Sequence, residues 1–462
     1  MPPHHHHQGD RPVTTSAARS NAWALVGAAA LGATLNPLNS TMVAVALPAI
    51  AREFSSEASS VTVLVVTSYL IATLVFQLPA GNIADRVGYT RALTWGRWLF
   101  FAGAVIGAFA PRLGAVVVGR LFMAAGGSLM VPTAMALVRV TLPAERRSRA
   151  FGTFGAILSM AAAIGPALGG WIAGQFGWRW LFAANVPVLL ASWLLHLRGR
   201  SGAPTPSAVP HRGRPPFDWL GSGAVGAGLI LVTLATRAQR PTSFVLMAAG
   251  AIVLAGLVAI ERRARAPVLD LQLLGVPVFL ASAGVIASQN LAMYSLLIQV
   301  PFMYGGPGFG LAVVAMTLTM ALSSPVGGWL AEHLGARPLV VVGGALGAAG
   351  VLGLASLAEA TPFRVAAWLL LAGLAIGLST GPSQAAGLSA VPPEKSGVGS
   401  AALSTARYVG SIAGTVVLGL ALVPGPDAGT RQHVALWVFA AAFVLSAMCG
   451  LALPRRPGGV RA

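Results

Sequence analysis

Acidic residues are scarce in this chain. Only 12 Asp and Glu stand against 30 Lys and Arg in 462 residues, and charged residues make up 9% of the whole. A soluble domain carries about 25% charged residues, so an ordinary water-soluble fold is excluded. Cysteine is almost absent. Cys449 stands alone, which rules out an intramolecular disulfide and a metal site built on cysteine. The middle of each apolar run also lacks acids and histidines. Asp10, Glu53, Glu57, Asp85, Glu145, Asp218, Glu261, Asp270, Glu332, Glu359, Glu394 and Asp427 all fall in tails, in loops or at the ends of runs, and His196 closes one run. No cluster of nucleophile, acid and base, or of metal ligands, is in view, so neither an enzyme nor a metal or cofactor is expected.

What the chain does have is apolar length. Hydrophobic residues make up 56% of it and the mean hydropathy is +0.76. Fourteen apolar runs of about 20 residues, each enough to cross a bilayer, follow one another between Ala22 and Leu453. The reading is an all-α polytopic membrane protein. A tail (1–21) precedes a block of six runs (22–197). A linker with two further runs (198–277) leads to a second block of six (278–453) and a short tail (454–462). His4 to His7 read as part of a tail or a tag rather than as a metal site.

The net charge of +18 does not mark a nucleic-acid binder, because the basic residues are scattered through short loops. With the N-terminus placed in the cytoplasm, the outer loops hold only Arg52, Arg112, Arg179, Arg237, Arg240, Arg364 and Arg431. Arg97, Arg120 and Arg407 fall within runs, and the other basic residues lie inside. That asymmetry predicts a plasma-membrane protein with both termini cytoplasmic.

The two blocks of six echo each other. Gly81-Asn82-Ile83-Ala84-Asp85-Arg86-Val87-Gly88 answers to Gly328-Trp329-Leu330-Ala331-Glu332-His333-Leu334-Gly335. Pro143 and Glu145 answer to Pro392 and Glu394, and Ala161 and Gly165 to Gly410 and Gly414. A duplicated six-helix unit follows, and in transporters the substrate site lies between such repeats. Gly165, Pro166, Gly169 and Gly170 give the fifth run a nearly bare face. Such a face lets another helix approach backbone to backbone, and Pro166 removes one N–H donor.

These motifs resemble the major facilitator superfamily, and within it the drug:proton antiporter branch with fourteen spans. The resemblance covers nearly the whole chain. Gly81-x-x-x-Asp85-Arg86-x-Gly88-x-x-Arg91 is similar to the superfamily's signature loop, and Gly165, Pro166, Gly169 and Gly170 to the antiporter motif. Arg120 stands where the family has an arginine in its fourth span, followed by Met123 and Ala124 in place of Gln and Gly. The loop is thereby implied to be a cytoplasmic latch, with Asp85 meeting the helix that begins near Ser396; the alternative is a solvated charged loop. For Arg120 the alternatives are a functional role and a structural one. Asn39 departs from the branch, which usually carries Asp there, and this puts the implied proton coupling in question.

Candidate cavity or coupling residues are Asn36, Asn39, Tyr69, Gln77, Arg120, Gln289, Asn290, Tyr294, Gln384 and Arg407, polar groups inside apolar runs. Arg97 lies close enough to a run's end to snorkel. The resemblance implies a monomeric exporter of small amphipathic molecules that works by alternating access with protons as partner. The alternatives are a dedicated exporter of one metabolite without proton coupling, and a membrane sensor that does not transport. With only cations embedded, a substrate that is not a lipophilic cation is expected.

Overall fold

The computed structural model describes residues 16–141, 144–200, 219–235, 242–261, 271–304, 307–392 and 396–455. Gly81 and Asp85 are among the helical residues whose side chains fall outside this description. Among the described residues every regular element is helical. The first six long helices are α1 (Ser16–Glu53), α2 (Ser68–Val87), α3 (Tyr89–Ala108), α4 (Leu113–Thr141), α5 (Ala144–Phe176) and α6 (Asn185–Arg200). A pair follows, α7 (Trp219–Ala235) and α8 (Thr242–Glu261). The last six are α9 (Pro277–Tyr304), α10 (Pro307–Leu334), α11 (Ala336–Ala355), α12 (Pro362–Ser389), α13 (Ser396–Ala421) and α14 (Ala428–Gly450). Among the described residues, nine helical segments are long and apolar enough to cross a membrane.

The packing repeats as the sequence does. In the first six, α1 packs on α4, α5 and α6, while α3 and α2 pack on α4. In the last six, α9 packs on α12, α13 and α14, while α11 and α10 pack on α12. The α7–α8 pair holds together and touches the rest through α2. The two bundles meet where α5 lies against α10, α2 against α13, and α1 against α9.

Two turns show why the sequence echo exists. Gly88 closes α2 with φ 91° and donates its N–H to Ala84 O; Gly335 closes α10 with φ 81° and donates to Ala331 O. A residue with a β-carbon pays steric strain at such angles, so both reversals need glycine.

Bare helix faces then set the close approaches. A β-carbon at Gly165 would collide with the Thr41 hydroxyl and lie 2.9 Å from the Leu38 carbonyl. At Gly169 it would lie 2.6 Å from the Met42 carbonyl. In the second bundle, Gly410 and Gly414 on α13 press in the same way on Ala287 and Leu291 of α9. In both seams two glycines four residues apart each meet a carbonyl of the facing helix. The helix runs unbroken through the buried Pro166. Gly170 is half-buried and faces Val314 of α10, so the same motif borders the junction of the bundles.

Candidate functional site

Asn36, Asn39 and Ser40 lie at spacings of three and four on α1, and so share one face. That face is buried: Asn36 is 1%, Asn39 0% and Ser40 3% exposed. Tyr69 of α2 donates its hydroxyl to Asn36 Oδ1 at 2.5 Å. Asn36 Nδ2 in turn donates to the Tyr408 hydroxyl of α13 at 3.4 Å. Ser40 Oγ shares a hydrogen bond of 2.6 Å with the Tyr294 hydroxyl of α9. The last two bonds cross from one bundle to the other.

Arg120 of α4 sits beside this face and is fully buried. Its guanidinium lies 3.6 Å above the Tyr69 ring, an arrangement that favours a desolvated cation by about 2 kcal/mol. Nη1 donates to Asn39 Oδ1. Nε donates to the Val65 carbonyl at 3.2 Å. Val65 lies in a single π-helical turn, Thr62–Thr67, just before α2. Such turns are frequent at functional sites, because the widened ladder leaves carbonyls to other donors. None of these partners carries a negative charge. Glu53, Glu57, Glu332, Glu359 and Asp427, the acids whose side chains are described, are all exposed.

On the opposite bank Arg407 of α13 is half-buried and donates from Nη2 to Gln384 Oε1 of α12 at 3.1 Å. Tyr294 lies within electrostatic reach of both Arg120 and Arg407. The structure thus gathers Asn36, Asn39, Tyr69, Arg120 and Tyr294 at the junction, with Arg407 and Gln384 close by.

Three candidates go elsewhere. Gln289 is tied within its own bundle, donating to Ser446 Oγ at 3.0 Å and accepting from Thr380 at 3.5 Å. Asn290 donates to the Ile286 carbonyl of its own helix. Gln77 is half-buried on α2, with a buried Oε1 that has no partner among the described residues. Sequence reasoning passed over Ser40 as a bridging group, although its spacing from Asn36 placed it on the same face. It also misjudged Arg97, which does not snorkel. Arg97 is 5% exposed and points into the first bundle, donating to Ser192 Oγ of α6 at 2.9 Å. Helix α3 starts at Tyr89 rather than at Ala92, which sets Arg97 a turn deeper than its apolar run implied.

In the signature loop, Arg86 and Arg91 are exposed and Gly88 makes the turn described above. Gly81 and Asp85 fall outside the described side chains. So do Lys395 and Ser396, at the helix start that Asp85 was expected to meet.

Comparison with known proteins places this architecture. The model of the Major Facilitator Superfamily matches residues 29–415 and, again, 278–460. The chain belongs to the major facilitator superfamily. Members similar to it include YvkA of Bacillus subtilis, an MFS-type transporter, 31% identical over 86% of this chain and 90% of that one. The multidrug resistance protein Stp of Mycobacterium tuberculosis is 29% identical over 88% of this chain and 77% of that one. The riboflavin transporter RibZ of Clostridioides difficile is 25% identical, with 85% and 86% covered. A crystal structure of a D-xylose–proton symporter superposes with a TM-score of 0.67, covering 94% of this chain and 98% of that one at 17% identity. The major facilitator fold is therefore shared along nearly the whole chain. The protein is a multi-pass membrane transporter of this superfamily and not an enzyme.

Proposed function

We propose that this transporter exports small amphipathic molecules by alternating access, with the two six-helix bundles rocking about the junction of α1, α9 and α13. The observation that carries this reading is the pair of hydrogen bonds Ser40–Tyr294 and Asn36–Tyr408. They are the kind of contact that a rocking step breaks, and they lie on the face that a central substrate would touch. The similarity to Stp supports a multidrug type of substrate, and the similarity to RibZ a more dedicated one.

The fourteen spans, the inward termini and the plasma membrane belong to this proposal. They rest on the helix order and on the bias of basic residues. The latch assigned to Gly81, Asp85, Arg86, Gly88 and Arg91, and the moving seam at Gly165, Pro166, Gly169 and Gly170, belong to it as well.

For coupling, the reading without a proton carrier in α1 is favoured. Asn39 takes the Arg120 Nη1–H as a neutral amide and cannot titrate. Flux into everted membrane vesicles tests both statements. Saturable uptake of amphiphiles is expected, nearly the same with and without a pH gradient. No saturable uptake from a panel of neutral, anionic and cationic amphiphiles would remove the export reading. Uptake that collapses with the gradient would restore proton drive.

A further inference from the structure

Arg120 and Asn39 are joined by one hydrogen bond, and each keeps a second donor beside it. Arg120 Nη2 and Asn39 Nδ2 are both buried and, among the described residues, both without a partner. Each belongs to the same planar group as an atom of the Nη1–Oδ1 bond, so the two free donors sit on groups already in contact. A buried cation without a counter-charge is strongly unfavourable, and a buried donor left unpaired is unfavourable as well. Two free donors at one buried contact, one of them charged, offer hydrogen bonds to the oxygens of a carboxylate or sulfonate.

The surroundings agree with that chemistry. The acids with described side chains are all exposed, and the facing bank adds the half-buried Arg407. Arg407 has Gln384 as an acceptor, whereas the Arg120–Asn39 pair keeps Nη2 and Nδ2 without one among the described residues. The pair is shut in this structure, with both residues 0% exposed. Asn39 shares its α1 face with Asn36 and Ser40, which hold the other bundle, and access to the pair would come from parting those two bonds.

We propose that the transported molecule carries an oxyanion group, which docks on Arg120 Nη2 and Asn39 Nδ2 and supplies the counter-charge that no described side chain provides. This rests on the export reading above and names its substrate class: anionic amphiphiles.

Three probes with one ring system separate the possibilities: 2-naphthoate, the neutral 2-naphthamide and the cationic 2-naphthylmethylammonium. Melting shifts of the purified full-length protein report binding, and vesicle flux reports transport. In the wild type, 2-naphthoate should bind about tenfold or more tightly than the other two, the effect of hydrogen bonds to charged groups. Asn39→Asp gives Arg120 an internal partner, so it should fold at least as well and lose the naphthoate preference. Arg120→Gln should lose it too, and Arg97→Gln, a buried cation away from the pair, should keep it. Three results would each overturn the proposal: equal shifts from naphthoate and the cation, no shift from naphthoate, or an unchanged preference in Asn39→Asp. A sodium chloride shift that matches that of naphthoate would assign the pair to an inorganic anion instead, against a substrate group. Naphthoate binding without flux would remove the export reading and leave the site standing. Flux of the amide without naphthoate binding would do the reverse.

Discussion

One buried hydroxyl pair joins the two bundles directly. Ser40 Oγ and the Tyr294 hydroxyl are both nearly fully buried and lie 2.6 Å apart. A neutral hydrogen bond of this kind contributes about 0.5–1.5 kcal/mol. Ser40→Ala or Tyr294→Phe should each raise the population with the bundles parted by about two- to tenfold, as the same free energy implies. The double variant should add little to either, because one bond cannot be lost twice. Distances between spin labels on α1 and α9 measure this. Additive effects would show that the two hydroxyls act separately. Arg97 makes a contrasting point at the same scale. It is a buried cation that reaches only a serine among described partners, and it lies inside one bundle, away from the junction.

At the scale of elements, three loops at one end of the first bundle are clamped together. Glu53, at the end of α1, accepts from the Trp178 indole N–H at 2.6 Å and from Arg179 Nη1 at 2.5 Å. Arg179 Nη2 reaches the Ala110 carbonyl between α3 and α4 at 3.0 Å, and its guanidinium lies 4.4 Å over the Trp178 ring. The indole hydrogen bond, then Arg179, hold the Glu53 carboxyl below the usual carboxylate range. A group whose pKa is lowered in the folded state stabilises above its unfolded value, and that contribution is lost as pH falls through the folded one. The clamp should therefore be intact at neutral pH and loosen in acid below about pH 4. Glu53→Gln should show the loosened behaviour at all pH values. Hydrogen exchange of the segment 177–184 reads it out. The stability change should stay small, because the pair is partly exposed and an exposed ion pair contributes about 0.2–1 kcal/mol. Wild-type protection at acid pH would show that Trp178 packing against Phe54 and Phe182 holds the loop without the charge.

Over the whole molecule, the two glycine seams make the first helix of each bundle a partner for its fifth. Leucine at Gly165 would drive a branched side chain into Thr41 and the Leu38 carbonyl. Overpacking of this sort destabilises by about 1–3 kcal/mol. Membrane insertion responds to hydrophobicity rather than to fit. Gly165→Leu should therefore reach the membrane in near-normal amount and yet stop exchanging between states. Labelling of single cysteines from each side would then show one accessible face where the wild type shows two. Normal alternation with normal flux would show that the seam packs but does not move.

The sequence by itself determined the helical class, the order of the long helices and the internal duplication. These depend on composition, run length and glycine placement, all of which are local along the chain. It also marked most of the junction, because a polar side chain within an apolar run must find a partner inside the protein. Which partner it finds is a matter of three-dimensional distance. Asn36 looked no different in kind from Gln289 and Asn290 until packing sent it to the meeting of the bundles, beside the Asn39 and Arg120 that the motifs had already marked. Gln289 and Asn290 were satisfied within the second bundle. The π-helical turn that lends Arg120 a carbonyl, the crossing bond through Ser40 and the burial of Arg97 were decided there too. Each depends on how one helix face meets another from a distant part of the chain, and no pattern within a single run records that.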